Sequence, residues 1–229
     1  MSASRPAVTF ALISACLFVY VAVAFIGSAT EPLNVALIRQ PLPMLAEGAL
    51  IPALVASGEV WRLLSSMFLH SGFVHVALNM VSLYFLGSFV EPLFGRGKFL
   101  LLYLASGLSG GIAYLYFSGF DSLAVGASGA IFGLIGGIFG FALRERTFSW
   151  GNPIIRQLLI LLALNLYVGF TVANISNTAH IGGLAGGAVF GFLISPALRS
   201  SKRSKTVLPV AAVFLILTAL LIVWLLLFA

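Results

Sequence analysis

Charge is what this chain of 229 residues has least of: Asp, Glu, Lys and Arg together make up 8% of it. A water-soluble domain carries about 25% charged residues, so this chain has too few to cover a surface. That excludes an ordinary soluble globular protein and a disordered tail. A single cysteine, Cys16, excludes an intrachain disulfide and with it a disulfide scaffold. Cys16 lies mid-way along an apolar run and reads as inert packing. The three histidines are far apart or five residues apart and have no cysteine or carboxylate beside them, which counts against a metal site. Lys and Arg are scattered and assemble no basic face, so no nucleic-acid partner is expected. No internal repeat is evident, which counts against a transporter built from inverted halves.

What the chain does have is apolar length, with 61% hydrophobic residues. Runs long enough to cross a bilayer, about 20 residues each, fall near 7–29, 67–90, 98–118, 125–143, 154–173, 178–195 and 207–229. The expectation is an all-α polytopic membrane protein with the bilayer as its main solvent and partner. The first run has a signal peptide as its alternative reading, but it exceeds the usual ~7–15-residue apolar core of one. With the N-terminus in the cytoplasm, Arg5, Arg96, Lys98, Arg144, Arg146, Arg156, Arg199, Lys202, Arg203 and Lys205 fall inside. Only Arg39 and Arg62 then fall outside, a strong positive-inside bias that sets the orientation.

The connection at about 30–66 is long and half apolar, which marks it as functional or packed on the bundle. Pro32, Pro41, Pro43 and Pro52 argue against one long helix there. The stretch 49–56 is too short to span and is expected in the interface or re-entering partway. Glu91-Pro92 and Gly95-Arg96-Gly97 read as a helix stop and a turn. The basic run 199–205 reads as an anchor to anionic lipid ahead of a seventh, motif-free helix.

Polar groups inside a bilayer are costly, so each needs a reason. His75 and Asn79 are four apart and share a helix face. Ser128 begins the fourth segment in Gly126-Ala127-Ser128-Gly129, and His180 opens the sixth in Ala179-His180-Ile181-Gly182-Gly183. With the N-terminus inside, even-numbered segments start at the outer side, so all four residues share one layer in the outer half of the membrane. Gly129, Gly133 and Gly137, widened by Gly136 and Gly140, give the fourth segment a small face. Gly183 and Gly187, beside Gly182 and Gly186, do the same for the sixth. Small faces let spanning helices approach closely, and packing these two brings Ser128 to hydrogen-bonding range of His180.

That pairing carries chemistry. A serine hydroxyl is a weak nucleophile until a base takes its proton, and neutral imidazole does so near neutral pH. Acyl transfer then needs donors waiting for the oxyanion. His75, Asn79 and the Ser128 backbone N–H are the candidates. Asp121 is in a loop, and Glu91 and Glu145 fall at the cytoplasmic side, so the expectation is a Ser128–His180 dyad without a third acid. His180 is expected to line an exposed cleft and to contribute little to packing.

These residues together resemble the rhomboid intramembrane serine proteases. The resemblance rests on Gly126-Ala127-Ser128-Gly129, the His75-x-x-x-Asn79 pair and Ala179-His180-Ile181-Gly182-Gly183-Leu184-Ala185-Gly186-Gly187. Glu59-Val60-Trp61-Arg62 matches the Trp-Arg motif of that family. The likeness covers roughly residues 8–196. It implies a six-helix catalytic core, a laterally packed first loop and an indented, water-filled site. It also implies Ser128 as nucleophile, His180 as general base and later acid, and an oxyanion site including His75 and Asn79. Gly183 corresponds to the glycine at which the sixth helix touches the fourth. Phe132 stands where the family often has a tyrosine stacked on the catalytic histidine. Gly126 and Gly129 flank the nucleophile.

The resulting expectation is a core at 1–198 and an appended linker and seventh helix at 199–229. The activity would be hydrolysis of peptide bonds in or near transmembrane segments of membrane proteins, without cofactor or metal, at a bacterial cytoplasmic membrane. Two other classes stand beside it: a non-catalytic rhomboid-like protein binding client helices, and a small transporter or channel. His70 has two open readings, hydrating or orienting the site, or a rim residue without a duty. Asn174 and Asn177 read as turn and cap residues, with Asn177 lining the site as the alternative. Substrate identity and oligomeric state are not legible.

Overall fold

The computed structural model describes residues 5–29, 32–38, 46–171, 175–195 and 207–228. It is all helical apart from one isolated bridge between Leu50 and Ala124. The described helices are α1 (Ala7–Gly27), α2 (Leu33–Ile38), α3 (Pro52–Ala56), α4 (Arg62–Ser65), α5 (Phe73–Phe94), α6 (Arg96–Phe117), α7 (Ser128–Arg144), α8 (Pro153–Thr171), α9 (Asn177–Ile194) and α10 (Val207–Phe228). Five of them, α1, α5, α6, α8 and α9, are long and apolar enough to cross a membrane. Two shorter apolar stretches, α7 and Ala212–Phe228 of α10, complete the set of seven segments read from the sequence.

The breaks fall where the backbone demands them. Pro52 opens α3 at a position where its missing N–H costs nothing. α5 runs through Glu91-Pro92 and stops at Gly95, whose φ of +80° is open to glycine, and α6 starts at the next residue. Three expected boundaries move by three residues or more, one of them the end of the second segment, which continues to Phe94 past the Glu91-Pro92 read as a helix stop. The second segment begins at Phe73 instead of 67, because 67–72 turns into the bundle before the helix starts. The fourth begins at Ser128 instead of 125, because Gly126 has φ +123° and cannot continue a helix backwards. At 17 residues α7 is about 25 Å long, shorter than the ~30 Å hydrocarbon core.

α9 lies in a trough between α6 and α7. A Cβ on Gly183 would overlap the Gly129 carbonyl, and one on Gly140 would sit 2.6 Å from the Phe192 nitrogen. Gly182 and Gly186 turn the other way, toward Ala113 and Ser109 of α6. The glycines of the sixth segment thus serve two neighbours. Gly137, grouped with the α7 small face, points its own Cβ position at Leu102 of α6.

At the bundle end away from Ser128, buried Glu91 accepts hydrogen bonds from Val8 N (3.1 Å), Thr9 N (2.8 Å) and Thr9 Oγ1 (2.8 Å). A carboxylate from α5 thereby satisfies two free N–H groups at the start of α1. Lys98 Nζ donates to the Ile194 carbonyl (2.8 Å) and Arg144 to that of Phe192 (2.8 Å), capping the last turn of α9 with cations. Arg39 and the basic run 199–205 lie outside the described residues.

Candidate active site

The long connection packs on the bundle, and it does so through the backbone. Leu50 and Ala124 exchange both bridge hydrogen bonds (2.9 and 3.0 Å), and Ala53 N donates to the Phe120 carbonyl (3.0 Å). Ala49, Leu50 and Val55 are buried, so the stretch 49–56 lies against the helices. Arg62, 4% exposed, holds the loop together from inside. Its guanidinium donates to Glu59 (2.8 Å) and to the carbonyls of Ala46 and Ala49, and lies 4.8 Å from the Trp61 ring centre. The Trp-Arg pair is a loop clamp.

This loop also presents the turn that starts α7. Gly126 N donates to the Ser66 carbonyl (2.9 Å). A Cβ at Gly126 would lie 2.7 Å from His75 Nε2, so this turn needs glycine for both its φ and its neighbour. Ser128 is the first residue of α7, and its N–H is one of the unpaired donors of a helix start.

His180 enters from α9, whose start is capped by Ser176 Oγ accepting from Ala179 N (3.2 Å). Ser128 Oγ and His180 Nε2 are 2.8 Å apart. Phe132, one turn beyond Ser128, lies parallel to the imidazole with ring centres 4.2 Å apart and an 8° tilt. His180 is 6% exposed, so it is a packed residue and the expectation of an exposed cleft side chain is corrected. The helices press it between Phe132 and the α7 start. Among the described residues, Nδ1 of His180 has no hydrogen-bond partner.

His75 lies beside the same turn. Its Nδ1 is 3.0 Å from Ser71 Oγ and accepts from Ser71 N (3.4 Å). An accepting Nδ1 puts the proton of the neutral ring on Nε2, the nitrogen that faces Gly126. Asn79 is buried and its amide donates to the His75 carbonyl one turn back (3.0 Å). His70, 1% exposed, meets His75 edge-on at 5.1 Å between ring centres. Burial pushes the His70 imidazole down to about 3, so it is neutral. Asn177 is the first residue of α9 and reaches toward the Leu166 carbonyl of α8 (3.5 Å), while Asn174 lies outside the described residues.

Ser128, His180, His75, Phe132, Gly126 and Gly129 thus meet at one place, with Gly183 setting the approach of the two helices. Reasoning from motifs missed Ser66, Ser71 and the tie between Ser118 Oγ and Thr178 Oγ1 (3.1 Å). Ser66 acts through its carbonyl, which leaves no mark on the sequence. Ser71 was legible only as a hydroxyl four residues ahead of His75.

A sequence model of the rhomboid domain matches residues 57–197. The chain is 44% identical over 144 residues to the rhomboid protease GluP of Bacillus subtilis (strain 168), covering 63% of this chain and 28% of GluP. It is 39% identical over 149 residues to RHOMBOID-like protein 5 of Arabidopsis thaliana (64% of this chain, 48% of that protein). With RHOMBOID-like protein 2 of the same plant it shares 41% over 135 residues (58% and 42%). The matched region is less than half the length of each of these relatives. The rhomboid-domain match at 57–197 contains every residue gathered around Ser128, and the chain belongs to the rhomboid family.

Proposed function

We propose that this chain is an intramembrane serine endopeptidase that cuts membrane proteins in or near a transmembrane segment. The 2.8 Å approach of Ser128 Oγ to His180 Nε2 carries the reading. As the hydroxyl oxygen bonds to the scissile carbonyl carbon, its proton passes to Nε2 and the carbonyl π pair moves onto oxygen. The oxyanion forms beside the Ser128 N–H at the positive end of α7, with His75 Nε2–H as the neighbouring side-chain donor. Asn79, with one amide N–H committed to its own helix, orients that wall and offers its second N–H. The imidazolium returns the proton to the departing amine, leaving an acyl ester on Ser128. Water then attacks the ester with His180 as base and frees the serine.

No carboxylate reaches His180 among the described residues, so ring stacking by Phe132 takes over the task of orienting the base. A helix in lipid hides its carbonyls in its own hydrogen bonds. Substrates are therefore spanning segments weakened by glycine, proline or polar residues near the end that meets Ser128. The family also favours a small residue before the cut. The N-terminus is assigned to the cytoplasm and the Ser128 end to the outer half of the membrane, with 1–198 as the catalytic core.

The test is labelling of the purified chain by a fluorophosphonate, together with cleavage of a model transmembrane substrate. Both are expected in the natural sequence and both are lost in Ser128→Ala. A chain that neither labels nor cuts refutes the assignment and favours a client-binding role.

A further inference from the structure

α10 is largely exposed, with Val213 and Trp224 its buried residues among those described. Leu220, Ile222, Val223, Leu226 and Leu227 are exposed, while Trp224 is 1% exposed. Its indole Nε1 donates to the Leu115 carbonyl (2.9 Å). Leu115 is in the last turn of α6, where carbonyls have no partner further along the helix. One turn back on α10, the Leu220 carbonyl accepts from Tyr116 Oη (2.8 Å). The two helices thus exchange hydrogen bonds in both directions at the end where α6 gives way to the strap 118–127.

That strap is the carrier of the site. It holds Phe120 and Ala124, which bind the outer loop, then Gly126, and it delivers Ser128. The Trp224 ring sits in the apolar cluster beneath it, with Leu50, Val55 and Leu63 of the loop and Leu115 of α6. Ala124 and Ala179, the residue before His180, pack against the same cluster. The ring therefore contacts a single apolar knot joined to both carriers of the Ser128–His180 pair.

We propose that Trp224 is a positioning residue, through which the seventh helix clamps the end of α6 and so fixes the strap that presents Ser128. The inference rests on the protease reading for its catalytic consequence, but the clamp itself is a structural claim. Without the indole donor, the Leu115 carbonyl loses its partner and the last turn of α6 frays into the strap. The reacting hydroxyl then spends less time aligned with the imidazole.

The full chain in detergent micelles is compared as natural sequence, Trp224→Phe, Tyr116→Phe and Val213→Ala. Val213→Ala serves as a control, since it loosens α10 at its other, buried end. Backbone hydrogen exchange at 118–127 and the inactivation rate with a fluorophosphonate are read for each. Trp224→Phe is expected to speed exchange across 118–127 and to slow inactivation about three- to tenfold, the loss of one hydrogen bond. The slowing falls on the chemical step and leaves probe binding unchanged. Tyr116→Phe gives the same pattern more weakly. Val213→Ala lowers the melting temperature and changes neither readout. Unchanged exchange in both tie variants overturns the clamp, and faster exchange with natural-rate inactivation overturns its catalytic role. A natural sequence that takes no label sinks the Ser128 assignment instead, and exchange then decides the clamp alone.

Discussion

The Phe132 ring lies flat against the His180 imidazole, 4.2 Å between centres and 8° from parallel. A phenylalanine has no hydroxyl to offer, so its contribution to the imidazole is shape and stacking. Such contacts are worth about 0.5–1.5 kcal/mol beyond burial. Phe132→Leu is expected to cut the fluorophosphonate inactivation rate about tenfold, whereas Phe132→Tyr keeps it within about twofold, because the ring is the working part. Steady-state cleavage of a transmembrane substrate checks both, and a Leu variant at full rate would remove stacking from the account.

On the proposed mechanism, His180→Ala removes a base and a packed ring at once. The rate loss should reach several orders of magnitude, as for dyad and triad members elsewhere. Because the side chain is buried, a fall in melting temperature is expected as well. His180→Asn separates the two: equally inactive, but closer to the natural sequence in stability. An Asn variant that retains cleavage would misplace the base.

Gly183 tests the trough in which α9 rides. A methyl group there would overlap backbone atoms of Gly129, which cannot step aside as a flexible side chain can. Gly183→Ala is expected to push α9 off α7, lower the melting temperature and abolish labelling of Ser128. Gly97→Ala, where a Cβ meets nothing within 4 Å, should be neutral or stabilise by about 0.4–1 kcal/mol. Equal melting curves for the two variants would contradict the close approach.

Much of this arrangement was legible from residue spacing. Ser128 and His180 stand at the starts of two glycine-faced segments, and only close helix packing makes sense of both faces. Trp61-Arg62 was visible as a motif, though what Arg62 holds, the carbonyls of Ala46 and Ala49, was not. Backbone acceptors carry no identity in a sequence, which also hid the Ser66–Gly126 and Leu115–Trp224 bonds. The burial of His180 was missed because a polar residue facing substrate reads as exposed, while here a neighbouring ring covers it.

Glu91 gives a stability prediction at the opposite end. Its carboxylate accepts three hydrogen bonds from the start of α1, and hydrogen bonds to charged groups contribute about 1.5–3 kcal/mol. Glu91→Gln should lower the melting temperature, and combining it with Thr9→Val should cost less than the sum, since both remove one shared contact. Additive losses would show that the two side chains act independently.

His70 predicts a pH dependence. Its ring is held neutral when folded, down to about 3 against an ordinary value of 6.5. Unfolded chains take up that proton first as pH falls, so protons favour the unfolded state below about 6.5. The melting temperature should drop from pH 6.5 toward pH 3, and less steeply in His70→Leu. Parallel slopes would assign the titration to other groups.

The lone thiol has a practical corollary. Cys16 is fully enclosed within α1, out of reach of water-borne maleimides. Any cysteine introduced at Gly97 or Glu59 therefore becomes the sole target of an impermeant reagent. Applied to intact cells, the pair reports which face of the bilayer each rim of the bundle looks onto.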